Sequence, residues 1–109
     1  MDGAVALLLL TAACAPSRPP ETPREIYAAY CARCHADDGR GVPRQLERYP
    51  KADLRRSEMI ARGDRPAVLE RTAKGYGPMP AFATKLTPAE LEKVTDFVLA
   101  LRAAPGPGN

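Results

Sequence analysis

Cys31-Ala32-Arg33-Cys34-His35 decides how the rest of the chain is read. It is a C-x-x-C-H stretch, the attachment pattern for a c-type haem. Two thiols three residues apart lie on one side of a helical turn. Each can add to one vinyl group of the same porphyrin and fix it covalently. His35, next in the chain, is then placed to bring its imidazole under the ring plane as the proximal iron ligand. The chain has one histidine, so no other residue competes for that role.

A six-coordinate iron takes a second donor, and methionine is the common partner in electron-transfer proteins. Outside the N-terminal segment there are two, Met59 and Met79. Met79 sits in Gly75-Tyr76-Gly77-Pro78-Met79-Pro80-Ala81-Phe82, where prolines on both sides hold the backbone extended and exclude a helix. A stiff loop of this kind presents a thioether from a fixed position. Met59 sits in Ser57-Glu58-Met59-Ile60-Ala61-Arg62, which reads as helix, and core filling is expected of it. The distal ligand is therefore expected to be Met79. The competing reading makes Met79 a buried gap-filler as well.

Working outward, helical signals dominate. A first helix is expected from 23 or 24 through 34, with Ile26, Tyr27 and Tyr30 on one face and Asp37-Asp38-Gly39 ending it. The stretch 42–51, with Pro43 and Pro50, reads as loop. A short helix is expected around 53–62, broken by Gly63. Another spans 66–74, capped by Asp64 and stopped by Gly75. The last helix has the clearest start: Thr87 as N-cap, Pro88 at N1 and Glu90 completing a capping box. Leu91, Val94, Thr95, Val98 and Leu101 follow as one stripe, with Phe97 beside it to pack on the first helix. No strand pattern and no repeat is visible. The fold class is all-α, three to five helices around one cofactor.

With these pieces in hand, the chain resembles a small class I cytochrome c of the mono-haem bacterial type. The resemblance rests on the helix leading into C-x-x-C-H, the stretch Asp37-Asp38-Gly39-Arg40-Gly41, the Gly-x-Met-Pro-x-Phe loop and the terminal helix opening Leu86-Thr87-Pro88-Ala89-Glu90-Leu91. It covers roughly residues 24–102. It implies one haem c per chain, held by Cys31 and Cys34, with His35 and Met79 as axial iron ligands. Tyr76 and Phe82 are then expected to line the haem pocket. Pro43 is a candidate to offer its carbonyl to the Nδ1 proton of His35, as a proline after the motif does in similar proteins. One departure is Ala36, where the family usually has glycine after the histidine.

The resemblance also implies function. The expected activity is electron transfer without catalysis, since both axial sites are filled and no nucleophile or acid–base pair is visible. The first alternative is a haem c subunit of a larger oxidoreductase complex. Another is a five-coordinate haem that binds a small ligand in place of Met79. A zinc site would need a fourth donor, and a thioredoxin-like dithiol would need a βαβ pattern; the sequence offers neither.

The N-terminus reads as an export segment. Residues 4–13 are continuously apolar, too few to span a bilayer and of the length of a signal-peptide core. Small residues before Cys14 resemble a bacterial lipobox, although Thr11 stands where Leu is usual and Asp2 leaves the start without a positive charge. Cys14 is thus a candidate lipid anchor; a cleaved or retained signal peptide and a free structural cysteine are the other readings. The expected organisation is 1–14 signal and lipobox-like, 15–23 a proline-rich tether, 24–103 the cytochrome domain and 104–109 a disordered tail. The expected location is extracytoplasmic, in the periplasm or on the outer face of the membrane.

At 109 residues and a formal charge of +3, the chain is one small domain whose core is marginal without a cofactor. Ten of its sixteen basic residues fall between Arg40 and Lys74, among five acids. This reads as a mixed-charge solvated surface, or as a basic docking face for redox proteins with acidic docking surfaces. No basic stripe interleaved with aromatics points to nucleic acid, and no small-molecule substrate is expected.

Overall fold

A computed structural model describes residues 18–102, together with Gly3, Ala4 and Ala6. Six α-helices follow in order: α1 (Pro23–Tyr30), α2 (Ala32–His35), α3 (Pro43–Leu46), α4 (Glu58–Ala61), α5 (Arg65–Lys74) and α6 (Pro88–Leu101). Three 3₁₀ turns, Pro50–Ala52, Leu54–Arg56 and Phe82–Thr84, fill the intervals. No strand forms among the described residues; Tyr76 and Met79 make an isolated bridge. The all-α class holds. The number of helices exceeds the expected three to five because α2, α3 and α4 are single turns.

Caps set the boundaries. The Thr22 hydroxyl accepts from the Glu25 N–H at the start of α1. Asp64 accepts from the Ala67 N–H at the start of α5, and Gly75 closes that helix. Thr87 and Glu90 form the reciprocal capping box of α6, with bonds of 3.2 and 2.9 Å. Each satisfies backbone donors that the first turn leaves without partners.

Three expectations change in detail. The first helix does not run unbroken to 34: Cys31 departs to φ −114°, so α1 and α2 join at a kink. The stretch 42–51 is not loop throughout. Pro43 opens α3 and Pro50 opens a 3₁₀ turn, because a proline at the first turn gives up an N–H that has no helical partner anyway. The helix around 53–62 is two pieces. Ser57, extended at ψ 117°, divides them and caps α4 through its hydroxyl.

The core lies where α1 crosses α6. Ile26, Tyr27, Cys31, Phe82, Leu86, Leu91 and Val94 form one buried cluster. The rings of Tyr27 and Phe97 meet at 4.9 Å between centroids. Thr95 is fully buried in the apolar stripe, which works because its hydroxyl donates to the Leu91 carbonyl at 2.7 Å. Arg65 and Asp96 tie α5 to α6 at 2.7 Å. Lys93 donates to the Glu21 carbonyl, so the end of the proline-rich stretch is held against α6. No helix among the described residues is long and apolar enough to cross a membrane. Cys14, the rest of the apolar run and the tail at 104–109 lie outside the described residues.

Candidate cofactor site

One cavity of about 340 Å³ gathers most of the residues singled out in the sequence. Cys31, His35 and Met79 all line it. Its walls are apolar: Leu54, Ile60, Val68, Val94 and Val98, with the Tyr27 ring. Exposed charged side chains stand at its rim. Cys34 belongs to α2 and is half-buried. Both thiols are free. Burial first, and Cys34 second, push the Cys31 thiol up to about 11. It therefore stays protonated at neutral pH. Burial, with Cys31 next, also raises the Tyr27 phenol above its ordinary range.

His35 ends α2, and its Nδ1 lies 2.8 Å from the Ala52 carbonyl oxygen. A carbonyl only accepts, so Nδ1 carries the proton and Nε2 keeps its lone pair free for a metal. The expected acceptor, Pro43, is replaced here by a residue seventeen positions after the histidine. The reason is local: Pro43 starts α3, which turns its carbonyl into helix geometry. Ala52 closes the 3₁₀ turn that faces His35. Asp53 holds this turn's exit, accepting from the Arg55 N–H and taking both its Nε and Nη2 donors.

Met79 is carried on a tight turn. Tyr76 and Met79 exchange both backbone hydrogen bonds, at 3.1 and 3.0 Å, around Gly77-Pro78. Gly75 makes this possible: its φ is +74°, and a Cβ there would stand 2.5 Å from the Met79 carbonyl oxygen. Met59 lines the same cavity. It is therefore a cavity wall on α4 and not part of the core cluster, contrary to expectation. Phe82 is buried in that cluster, not along the cavity. Tyr76 is 70% exposed, its ring stacked under the Arg71 guanidinium at 4.2 Å. Neither aromatic lines the pocket as the resemblance implied.

The donor set fits a haem: the Cys31 thiol, one imidazole with a fixed tautomer and a thioether line one apolar cavity, and Cys34, which does not line it, follows on α2. The Ala52 carbonyl escaped the sequence reading, because a backbone acceptor leaves no side-chain signal.

A helical fold that brings one thiol of a C-x-x-C-H pair, its imidazole and a thioether to one apolar cavity, with the second thiol three residues on in the same helical segment, is that of a c-type haem protein. The profile of the family described as cytochrome c oxidase, cbb3-type, subunit III matches residues 18–98. The chain is 33% identical over 75 residues to cytochrome c6 of Gloeothece citriformis, covering 69% of this chain and 64% of that protein. It is equally identical over 75 residues to cytochrome c6 of Microcystis aeruginosa, covering 88% of it. Over 78 residues it is 30% identical to the cbb3-type cytochrome c oxidase subunit FixP of Azorhizobium caulinodans, covering 25% of it. No solved structure matches the chain. The chain belongs to the class I mono-haem cytochrome c family. Members of this family carry one covalently bound c-type haem with iron. The chain spans 64% of the length of the cytochromes c6 of Gloeothece citriformis and Nostoc.

Proposed function

We propose that the protein is a one-electron carrier whose haem is joined to Cys31 and Cys34, with His35 and Met79 as the axial ligands. The observation that carries this reading is the meeting of Cys31, His35 and Met79 at one apolar cavity. The haem supplies a one-electron iron couple. The chain supplies the setting for it. Ala52 orients the His35 ring and holds the proton on Nδ1. Gly75 and the Tyr76–Met79 bridge preset the thioether. The apolar walls supply a surface for the porphyrin to pack on, and thioether ligation favours the reduced state. Retention of haem by the purified protein after acid–acetone extraction tests the covalent link. Haem passing into the organic phase would overturn it.

The partners are redox proteins with acidic docking faces. Among the described residues Arg40, Arg55, Arg62, Arg65 and Lys74 each pair with a carboxylate. Lys51, Arg56 and Arg71 do not, and all three line the cavity. Glu58 lines it too and has no basic partner among the described residues, so these four leave a net positive balance at the cavity, which favours steering of an acidic partner. A second reading, a haem subunit of an oxidase complex, is supported by the cbb3-type family match and by the likeness to FixP. Copurification with a catalytic subunit from solubilised membranes is the expected result under that reading. Export, with anchoring through Cys14, is supported by the apolar run at 4–13 and the prolines that follow.

A further inference from the structure

Ala36 follows the histidine directly, and its backbone sits at φ 62°, ψ 166°. It is the one non-glycine residue with positive φ among the described residues. That region is open to glycine and strained for any residue with a Cβ, so it persists only where the surroundings over-determine the backbone. Here they do. The Ala36 N–H donates to the Ala32 carbonyl at 2.8 Å. Its own carbonyl accepts from the Gly39 N–H at 3.2 Å and from the Tyr27 hydroxyl at 2.5 Å. Tyr27 comes nine residues earlier, so this last bond closes around the whole of Cys31–His35. The Tyr27 ring is 2% exposed and seated against Phe97. A phenylalanine would fill that volume equally well; the hydroxyl is the part that packing does not explain.

We propose that Tyr27 is a positioning residue for His35: its hydroxyl holds the Ala36 carbonyl and thereby sets the plane in which the imidazole is offered to iron. The inference rests on the haem reading above. His35 is otherwise fixed by its ring bond to Ala52 and by its carbonyl, which accepts from the Gly41 N–H at 2.8 Å. The peptide between His35 and Ala36 is thus pinned through both of its polar groups, and Tyr27 clamps the next peptide, on the far side of the strained Ala36, through its carbonyl.

The test is Tyr27→Phe in the holo-protein, read by proton NMR of the ferric form. The hyperfine-shifted haem methyl resonances depend on the orientation of the axial imidazole. A changed methyl pattern is expected, with the unfolding equilibrium constant raised about 10-fold for the loss of one buried hydrogen bond. Ala36→Gly removes the strain, so Tyr27→Phe/Ala36→Gly is expected to regain the wild-type pattern, with non-additive effects on stability. An unchanged pattern in Tyr27→Phe overturns the proposal even if stability falls, since the hydroxyl would then serve helix packing alone. If Tyr27→Phe gives no haem-loaded protein, the double variant decides. Its recovery with the wild-type pattern supports the clamp, and its failure overturns it. Wild-type protein that surrenders its haem to acid–acetone overturns the haem reading, and this proposal with it.

Discussion

Met59 and Met79 carry the same thioether and line the same cavity, so chemistry does not separate them. Backbone does. Met79 is held by two reciprocal hydrogen bonds, whereas Met59 belongs to a single helical turn. Met79→Ala is therefore expected to lower the reduction potential and let exogenous ligands reach the iron, while Met59→Leu leaves the optical spectrum unchanged. Spectra of the two variants with and without imidazole check this, and the opposite pattern would reverse the ligand assignment. Asp53 matters at the same scale. Its carboxyl is held below the usual range, chiefly by the hydrogen bond from the Arg55 side chain and against the opposing effect of burial. A depressed folded pKa contributes stability that is present above the unfolded value of about 3.9 and is lost as pH falls through the folded value. In urea melts the gap between wild type and Asp53→Asn is accordingly expected to be largest near neutral pH and to close on acidification below about pH 4.

At the scale of elements, α6 depends on its start and on one ring. Thr87→Ala removes the capping hydroxyl and should cost about 1 kcal/mol in chemical denaturation. Phe97 packs on Tyr27 and lies under the Arg24 guanidinium at 5.7 Å, but it is only half-buried. Phe97→Ala should thus cost about 1–3 kcal/mol, short of the roughly 3–5 of a fully buried ring. The loop after α5 is governed by Gly75. Gly75→Ala forces a Cβ against the Met79 backbone and should cost at least about 1 kcal/mol. It should also weaken Met–iron ligation, seen as loss of the long-wavelength charge-transfer band of the ferric protein.

For the whole molecule, the apolar cavity beside α1 and α6 means that the cofactor completes the core. Protein with Cys31→Ala and Cys34→Ala should lose its haem on extraction and melt well below the holo-protein, as a small domain with an unfilled core must. The location of the chain is tested by fractionation. Anchoring through Cys14 puts wild-type protein in the membrane pellet and Cys14→Ser in the soluble extracytoplasmic fraction. Wild type found soluble would remove the anchor but leave export standing.

The cofactor motif, the start of α6 and both ends of α5 were legible in the chain, because each is written in contiguous residues with local physics: thiol spacing, a capping hydroxyl, a glycine past the last turn. The helical class followed from the same signals. The partner of His35 was not legible, since Ala52 contributes a backbone carbonyl brought near only by the fold. Nor were the places of Tyr76 and Phe82, which exposure and core packing assign in three dimensions. The significance of Ala36 was half visible: the sequence shows a Cβ where glycine is usual, but only the tertiary structure shows its positive φ and the Tyr27 hydroxyl that holds it there. Local rules decide where elements begin and end. Which side chain meets which backbone group is decided by helices crossing, and sequence spacing alone does not carry that distance.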